Sequence, residues 1–240
     1  MINKIKTTIK NKIIRKKKET YNGIYIKNLT KKFSTKMGPK LVLDNIDIKI
    51  PYGKNIGILG RNGAGKSTLL RLMGKIEFPE KGEIISNKTF SWPLALSNGF
   101  QGSLTGKDNA KFICRIYGKK EEELERIVEN IKEFSELGND FYLPVKTYST
   151  GMKGKLSFAV SVSFDFDYFL LDETLSVGDK SFKDKCSKAI KDIGEKSNFI
   201  IVSHDMNVIR NMCDICLIIK NKKILIYEDM EKAISEYNLM

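Results

Sequence analysis

Apolar residues along this chain form short continuous runs that are separated by polar turns. Three of these runs cover residues 56–59, 168–171 and 199–202. Strands that are buried on both faces of a parallel sheet have this continuous pattern. From residue 69 onward, after the first run, the apolar spacing is typical of an amphipathic helix. The pattern therefore predicts an α/β fold.

The stretch before the first run contains shorter strand signals. Residues 24–26 and 41–43 are strand-like, and residues 46–50 alternate apolar and polar side chains with a period of two. A turn at residues 51–54 leads into the first apolar run. Phe33 lies in this region. Its position allows two interpretations, an aromatic that stacks on an adenine or one that covers a hairpin edge.

Residues 88–150 have a different character. Helices are predicted over residues 108–117 and 121–134, and the second has a clear apolar face: Leu124, Ile127, Val128, Ile131 and Phe134. A further helix is expected from Lys155 to about Phe164. Together these segments predict a helical insert in the α/β core, at about residues 88–160.

A glycine-rich turn follows the first apolar run directly. Its sequence matches the pattern G-x-x-x-x-G-K-[ST], and a helix start follows it. A strand, a tight turn and a helix in this order point backbone N–H groups at a phosphate. Lys66 can reach the β- and γ-phosphates of a nucleotide, and the Ser67 hydroxyl can hold Mg²⁺. The motif therefore predicts nucleotide binding.

Polar side chains with catalytic potential end the other two runs. Asp172 and Glu173 follow residues 168–171, and His204, the only histidine, follows the third run. Ligands bind at the carboxyl ends of parallel strands in open α/β sheets. There Asp172 could hold Mg²⁺, Glu173 could polarise the attacking water and His204 could hydrogen-bond a γ-phosphate. The alternative is that these strands end in ordinary polar turns.

Composition narrows the possible classes of protein. The chain has 240 residues, of which 41% are hydrophobic, as expected of one large folded domain or a core with a subdomain. No apolar run approaches the roughly 18 residues that a membrane span needs. One C-x-x-C pair, Cys213 and Cys216, has no second pair or nearby histidine. Buried core cysteines are therefore predicted rather than a zinc site.

The net charge of +13 is concentrated in a basic N-terminal tail. Residues 1–22 carry +7 of it, and a folded domain is expected over residues 23–240. In the tail, isoleucines lie on one side of a helical wheel and lysines surround the rest, which is typical of a helix on an anionic lipid surface. Residues 1–18 could bind lipid in this way. The alternatives are a solvated, disordered tail and, less favoured, a nucleic-acid contact.

These elements, in this order, resemble an ATP-binding cassette (ABC) ATPase over residues 22–240. Within that family the chain is similar to the ATP-binding subunits of bacterial capsular polysaccharide exporters. That likeness is carried by residues 91–94, 99–106, 133–138 and 146–152. The resemblance implies a P-loop NTPase (RecA-like) core with an antiparallel β subdomain and an inserted α-helical subdomain.

The resemblance also implies roles for individual residues. Asp172 would hold the magnesium ion, Glu173 would be the catalytic base and His204 the switch histidine, and Gln101 would be the magnesium-contacting glutamine. Phe33 would stack on adenine. Ser149 and Gly151 would form the signature that faces the ATP bound by a second copy of the chain. The loop that holds ATP, including the catalytic lysine, would comprise Gly60, Asn62, Gly63, Gly65, Lys66, Ser67 and Thr68.

Two departures from the family pattern affect these roles. The common signature Leu-Ser-Gly-Gly-Gln is here Tyr148-Ser149-Thr150-Gly151-Met152, a form similar to that of the polysaccharide-export branch. Gln101 lies closer to the following helix than the family's glutamine usually does. Gln101 therefore either contacts magnesium or faces the permease.

The function implied by the resemblance is ATP hydrolysis coupled to export of a capsular or other surface polysaccharide across the inner membrane. The expected cofactors are ATP and Mg²⁺. The expected partners are a second copy of the chain, a separate transmembrane permease and, through it, the glycan, with the chain at the cytoplasmic face. Alternatives are export of an O-antigen or teichoic-acid glycan, a nucleic-acid-associated cassette, or a nucleotide-responsive adaptor.

Overall fold

A three-stranded antiparallel sheet forms the N-terminal part of the fold. The computed structural model describes residues 20–94, 99–172 and 178–240. This sheet has the order β2-β1-β4 and comprises β1 (Gly23–Thr35), β2 (Gly38–Pro51) and β4 (Lys81–Ile85). The predicted segments 41–43 and 46–50 are one strand, because Asn45 takes a positive φ of 46° and keeps the chain in the sheet. Asparagine tolerates this left-handed conformation better than most residues.

A five-stranded sheet forms the centre of the molecule. Its order is β5-β6-β3-β7-β8, and all neighbours are parallel except β7 and β8. Its strands are β3 (Ile56–Gly60), β5 (Tyr168–Leu171), β6 (Asn198–Val202), β7 (Ile215–Lys220) and β8 (Lys223–Tyr227). Leu171 pairs with Ile201, and Ile58 pairs with Val202. The carboxyl ends of β5, β6 and β3 therefore lie side by side at one edge of the sheet.

The described part of the chain contains seven α-helices. They are α1 (Lys66–Met73), α2 (Gly106–Ile116), α3 (Glu121–Ser135), α4 (Thr150–Val162), α5 (Lys180–Gly194), α6 (Met206–Met212) and α7 (Met230–Asn238). The predicted helix at 155–164 begins five residues earlier than expected. The reason is the Ser149 hydroxyl, which accepts a hydrogen bond of 3.2 Å from the Met152 N–H and caps the first turn.

The central sheet is buried on both faces by alternate side chains of the same strands. Ile200 and Val202 pack with the three-stranded sheet and α1, whereas Phe199 and Ile201 pack with the helices on the other face. Both faces of the sheet are covered, which explains the continuous apolar runs in the sequence.

The cysteines belong to this core. All four are free and buried, and desolvation by burial raises the pKa of Cys213 and of Cys216 to about 12. Within the described residues no group of three or more His, Cys, Asp or Glu side chains could hold a metal ion. The burial of all four cysteines confirms the prediction that they are core residues.

Two hydrogen bonds join the three-stranded sheet to the central sheet. The Asp44 N–H on β2 donates to the Lys222 carbonyl at 2.9 Å. The Lys223 ammonium on β8 donates to the Asp44 carbonyl at 2.7 Å and lies 3.3 Å from its carboxylate. The two sheets are thus fastened to each other beside the glycine-rich loop. Over the described ranges, no helix combines the length and apolarity that crossing a bilayer requires.

Candidate active site

The glycine-rich loop connects β3 to α1 and depends on glycine at two sites. Gly63 has φ 78° and Gly65 has φ 111°, values that L side chains rarely adopt. A Cβ atom at Gly65 would also lie 2.6 Å from Cγ1 of Val42 on β2. Glycine therefore allows the loop to curl tightly and to approach the three-stranded sheet at the same time.

Lys66 is the first residue of α1 and is 8% exposed. Its ammonium donates hydrogen bonds to the carbonyl oxygens of Gly60, at 2.8 Å, and Arg61, at 3.4 Å. Desolvation by burial lowers the pKa of Lys66, and the nearby Asp172 carboxylate opposes that shift. The loop thus holds a cation against its own backbone, beside a carboxylate from another strand.

A cavity of about 420 Å³ opens over this loop. It brings together residues that are far apart in the sequence, including Phe33 from β1 and His204 after β6. The predicted loop residues that line it are Asn62, Gly63, Gly65, Lys66, Ser67 and Thr68. Gly60 contributes through its carbonyl, which holds Lys66.

Three further residues line the cavity that sequence reasoning missed. They are Lys40, Val42 and Val202. Lys40 is the cross-strand partner of Phe33 in the β1–β2 hairpin. A two-residue turn at Lys36 and Met37, just before Gly38, pairs these two positions, so this short hairpin was the signal that could have found Lys40.

Asp172 and His204 lie at the same edge of the sheet. Asp172 follows β5 and is half-buried, and its charge acts on Lys66. His204 follows β6, and its Nδ1 lies 3.3 Å from the hydroxyl of Tyr237 on α7. Glu173, the predicted catalytic base, lies outside the described residues. The structure therefore places a lysine and an imidazole on the wall of one cavity, and the Asp172 carboxylate lies near that lysine without being among the lining residues.

Phe33 is half-buried and presents its ring to the cavity. The Lys31 ammonium lies 4.7 Å from the ring centroid, within the range of a cation–π contact. Phe33 thus lies in the hairpin and at the cavity wall, where both interpretations of its sequence position placed it.

The remaining predicted site residues lie away from this cavity. Ser149 and Gly151 are exposed at the N-terminus of α4. Gln101 is exposed, its N–H donates to Asn109 Oδ1 at 2.8 Å, and it is not among the residues that line the cavity. The roles of all three in nucleotide or magnesium binding stay predictions.

The cavity and its loop lie within a recognised sequence family. The family model for ABC transporters matches residues 43–176, a range that includes the loop, α4 and Asp172. The chain belongs to the ABC transporter family. The prediction of a cassette ATPase that binds ATP is therefore confirmed.

Relatives of this ABC family member include export proteins. The polysialic acid transport ATP-binding protein KpsT of Escherichia coli is 48% identical over 217 residues, which cover 90% of this chain and 96% of that protein. The capsule polysaccharide export ATP-binding protein CtrD of Neisseria meningitidis serogroup B is 45% identical over 215 residues, covering 90% and 98%.

Solved structures show the same fold. The dimeric ABC cassette MJ0796, bound to ADP and phosphate, superposes with a TM-score of 0.69 at 19% sequence identity. The match covers 85% of this chain and 98% of the cassette. The predicted P-loop NTPase fold is therefore confirmed.

Proposed function

We propose that this ABC ATPase powers the export of a capsular or related surface polysaccharide. The observation that carries the proposal is the likeness to KpsT and CtrD over 90% of the chain, at 45–48% identity. The names of these two relatives state polysialic acid transport and capsule polysaccharide export. The teichoic acid exporter TagH of Bacillus cereus is less similar, at 36% identity over 81% of this chain, which favours a capsule-type cargo.

In this proposal the cavity holds ATP along its length. The Phe33 ring stacks on the adenine, and the backbone N–H groups of the loop surround the phosphates. Lys66 exchanges its bonds to Gly60 and Arg61 for phosphate oxygens, as its position at the loop's centre allows. The ammonium then neutralises charge that develops on the β- and γ-phosphate oxygens.

The donor set beside Lys66 fits magnesium. The Ser67 hydroxyl lines the cavity and the Asp172 carboxylate lies near Lys66, and oxygen donors of this kind are those Mg²⁺ prefers. Magnesium commonly keeps few protein ligands and completes its shell with phosphates and water. When bound, it draws negative charge from the phosphate oxygens.

Hydrolysis requires a water molecule to attack the γ-phosphorus while the bond to the β-phosphate oxygen breaks. Glu173 is proposed to polarise that water, and His204 to donate a hydrogen bond to a γ-phosphate oxygen. His204 lines the same cavity as Lys66 and follows β6, the neighbour of the strand that leads into the loop, which supports its assignment to the phosphate end. ADP and phosphate are the products, and little covalent chemistry is asked of the protein itself.

The second half of the site is proposed to come from another copy of the chain. Ser149 and Gly151 are exposed at the start of α4, so they are free to face a partner's nucleotide. A helix N-terminus carries partial positive charge, which suits a γ-phosphate. Gln101 is exposed as well, and we assign it to contact with magnesium or the permease.

Membrane contact is proposed at two places. A separate permease would carry the glycan, and the cassette would lie against it at the cytoplasmic face of the inner membrane. The basic residues 1–18, outside the described ranges, are proposed to bind anionic lipid. Cosedimentation with phosphatidylglycerol vesicles should lose its salt-sensitive component when residues 1–18 are deleted, whereas unchanged cosedimentation would remove the lipid proposal.

The proposal is tested in cells that carry Lys66→Ala as the only copy. Surface polysaccharide should disappear while glycan accumulates inside, because the export step lacks its motor. A matched control is Lys54→Ala, which removes an exposed lysine from the turn before β3. Normal surface glycan in Lys66→Ala cells, at normal protein level, would reject polysaccharide export and leave an ATPase with another cargo.

A further inference from the structure

The C-terminal helix α7 reaches the active site through one side chain. The hydroxyl of Tyr237, a half-buried residue, lies 3.3 Å from Nδ1 of His204. Thirty-three positions separate the two residues in the sequence. Tyr237 thus connects α7 to a residue that lines the cavity.

Several contacts hold α7 in the place where it makes this bond. The Asp229 carboxylate caps the helix by accepting from the N–H groups of Glu231 and Lys232, at 3.0 and 3.1 Å. Arg210 on α6 lies 2.6 Å from the Glu231 carboxylate, and Lys220 on β7 lies 2.7 Å from that of Glu236. The helix is therefore tied to α6, which begins two residues after His204, and to β7 of the central sheet.

The hydrogen bond has a consequence for the imidazole. A neutral imidazole has one ring nitrogen that donates and one that accepts, and the partner of one nitrogen decides the role of the other. If the Tyr237 hydroxyl donates to Nδ1, the proton resides on Nε2. The Nε2–H group can then donate a hydrogen bond to a γ-phosphate oxygen.

We propose that Tyr237 is a positioning residue for ATP hydrolysis: its hydroxyl donates to Nδ1 of His204 and so fixes the tautomer and ring orientation that face the γ-phosphate. This inference rests on the proposed role of His204. The observation behind it is the contact between α7 and the cavity-lining histidine. The helix that packs on α6 would thereby govern how well the active site is ordered.

The contact itself can be measured without reference to activity. His204 is the only histidine in the chain, so ¹⁵N-histidine labelling gives one set of ring signals. Two-bond ¹H–¹⁵N spectra of the full chain should show the Nε2–H tautomer dominating in the wild type. In Tyr237→Phe, which removes the hydroxyl alone, the two ring nitrogen shifts should move toward each other as the tautomers mix.

Kinetics test the consequence for hydrolysis. Tyr237→Phe should lower kcat about 3- to 10-fold, the effect of one lost hydrogen bond, with KM for ATP changed less than about 2-fold. In a His204→Ala background the same change should have no further effect on kcat, because the two residues act together. Tyr227→Phe on β8 is the matched control, since Tyr227 is also a half-buried tyrosine, and it should leave both readouts unchanged.

The outcomes separate this inference from the proposed function. Ring signals that are the same in the wild type and Tyr237→Phe would overturn it, as would a shifted tautomer with unchanged kcat. If Tyr237→Phe lowers kcat further in the His204→Ala background, Tyr237 acts by a route other than His204. That result would also overturn the inference. A shifted tautomer in a protein without Lys66-dependent hydrolysis would retain the contact but reject the proposed function.

Discussion

At the residue scale, the site is built around a lysine whose charged side chain is buried against its own loop. Lys66 is 8% exposed and bonded to two carbonyls of its own loop. Those bonds hold the side chain at the loop's centre, so its rotamer freedom is already reduced when a phosphate arrives. Preorganisation of this kind lowers the entropic cost of binding.

Lys66→Ala should lower the rate of ATP hydrolysis by about 100-fold or more, the size of effect expected when a donor to developing charge is lost. Phosphate release measured at saturating ATP checks this. Lys54→Ala is the control for loss of a positive charge alone and should retain the wild-type rate. Equal rates for Lys66→Ala and the wild type would contradict the assignment of the loop.

Phe33→Ala should weaken ATP binding about 10-fold, because base stacking on an aromatic ring contributes about 1–3 kcal/mol. Calorimetric titration of ATP into the purified chain measures the change. Phe33→Tyr should keep the affinity, since the ring remains. Phe78→Ala, at a 73% exposed phenylalanine outside the cavity, is the matched control. A Phe33→Ala variant that binds ATP normally would leave Phe33 as a hairpin residue only.

The sequence could indicate these residues because their signals are local. The turn around Lys66 and the polar residues that end β5 and β6 can be identified within short segments. Tyr237 could not, because it reaches the site through a contact that packing creates. Contacts between distant residues are not visible in one-dimensional periodicity.

At the element scale, a short segment at residues 89–94, expected to belong to the helical insert, pairs alongside the edge strand β5 of the central sheet. Phe90 forms a parallel bridge with Tyr168, and the Leu94 N–H donates to the Leu170 carbonyl at 2.8 Å. Asp167 anchors this segment: its carboxylate accepts from the N–H and the hydroxyl of Thr89, each at 2.8 Å. The pattern missed this pairing because the segment is too short and irregular for a period.

Asp167→Asn should lower the free energy of unfolding by about 1.5–2 kcal/mol at pH 7, the lower part of the range for hydrogen bonds to a charged group, because the Asp167 side chain is 30% exposed. Burial alone raises the pKa of Asp167, but the bonds from Thr89 and the charge of Lys88 outweigh it, and the net pKa lies below 3.8. The stabilisation that the charged Asp167 side chain provides is therefore present above pH 3.8. It is lost as the pH falls through the lower pKa of Asp167 in the native state.

Urea denaturation at pH 7 and at pH 3 tests this sign. The difference in the free energy of unfolding between the wild type and Asp167→Asn should be smaller at pH 3 than at pH 7. Asp165→Asn, at an exposed carboxylate two residues earlier, should change the free energy of unfolding little at either pH. A difference that grows in acid would show that the native state does not favour the charged form of Asp167.

At the scale of the whole molecule, the cavity contains only part of the predicted site. Ser149 and Gly151 lie exposed on another part of the surface, as expected if they serve a partner's nucleotide. The strands β3, β5 and β6 could be predicted from the sequence because each is a continuous apolar run. The assembly of two copies depends on surfaces whose sequence pattern of polar and apolar residues is the same as that of any solvent-exposed face. The sequence pattern alone therefore could not identify them.

A mixing experiment tests whether each ATP site lies within one copy of the chain or is shared between two copies. Lys66→Ala and Ser149→Arg should each be inactive alone. If sites are shared between copies, a mixed dimer has one site with both changes and one intact site. An equal mixture, after subunit exchange, should then recover about a quarter of the wild-type rate, as random pairing in a two-fold dimer gives. No recovery, with mixed dimers detected, would place Ser149 in the site of its own chain.

The hydrogen bonds that join Asp44 to Lys222 and to Lys223 affect which nucleotides fit the cavity. They fasten the wall that carries Phe33, Lys40 and Val42 to the sheet that carries the phosphate loop. The spacing between the aromatic ring and the loop therefore depends on how the two sheets are joined. A purine offers two fused rings to the face of Phe33 and a pyrimidine only one, so a purine would bury more ring surface at this fixed wall. The chain should therefore favour ATP and GTP over CTP and UTP.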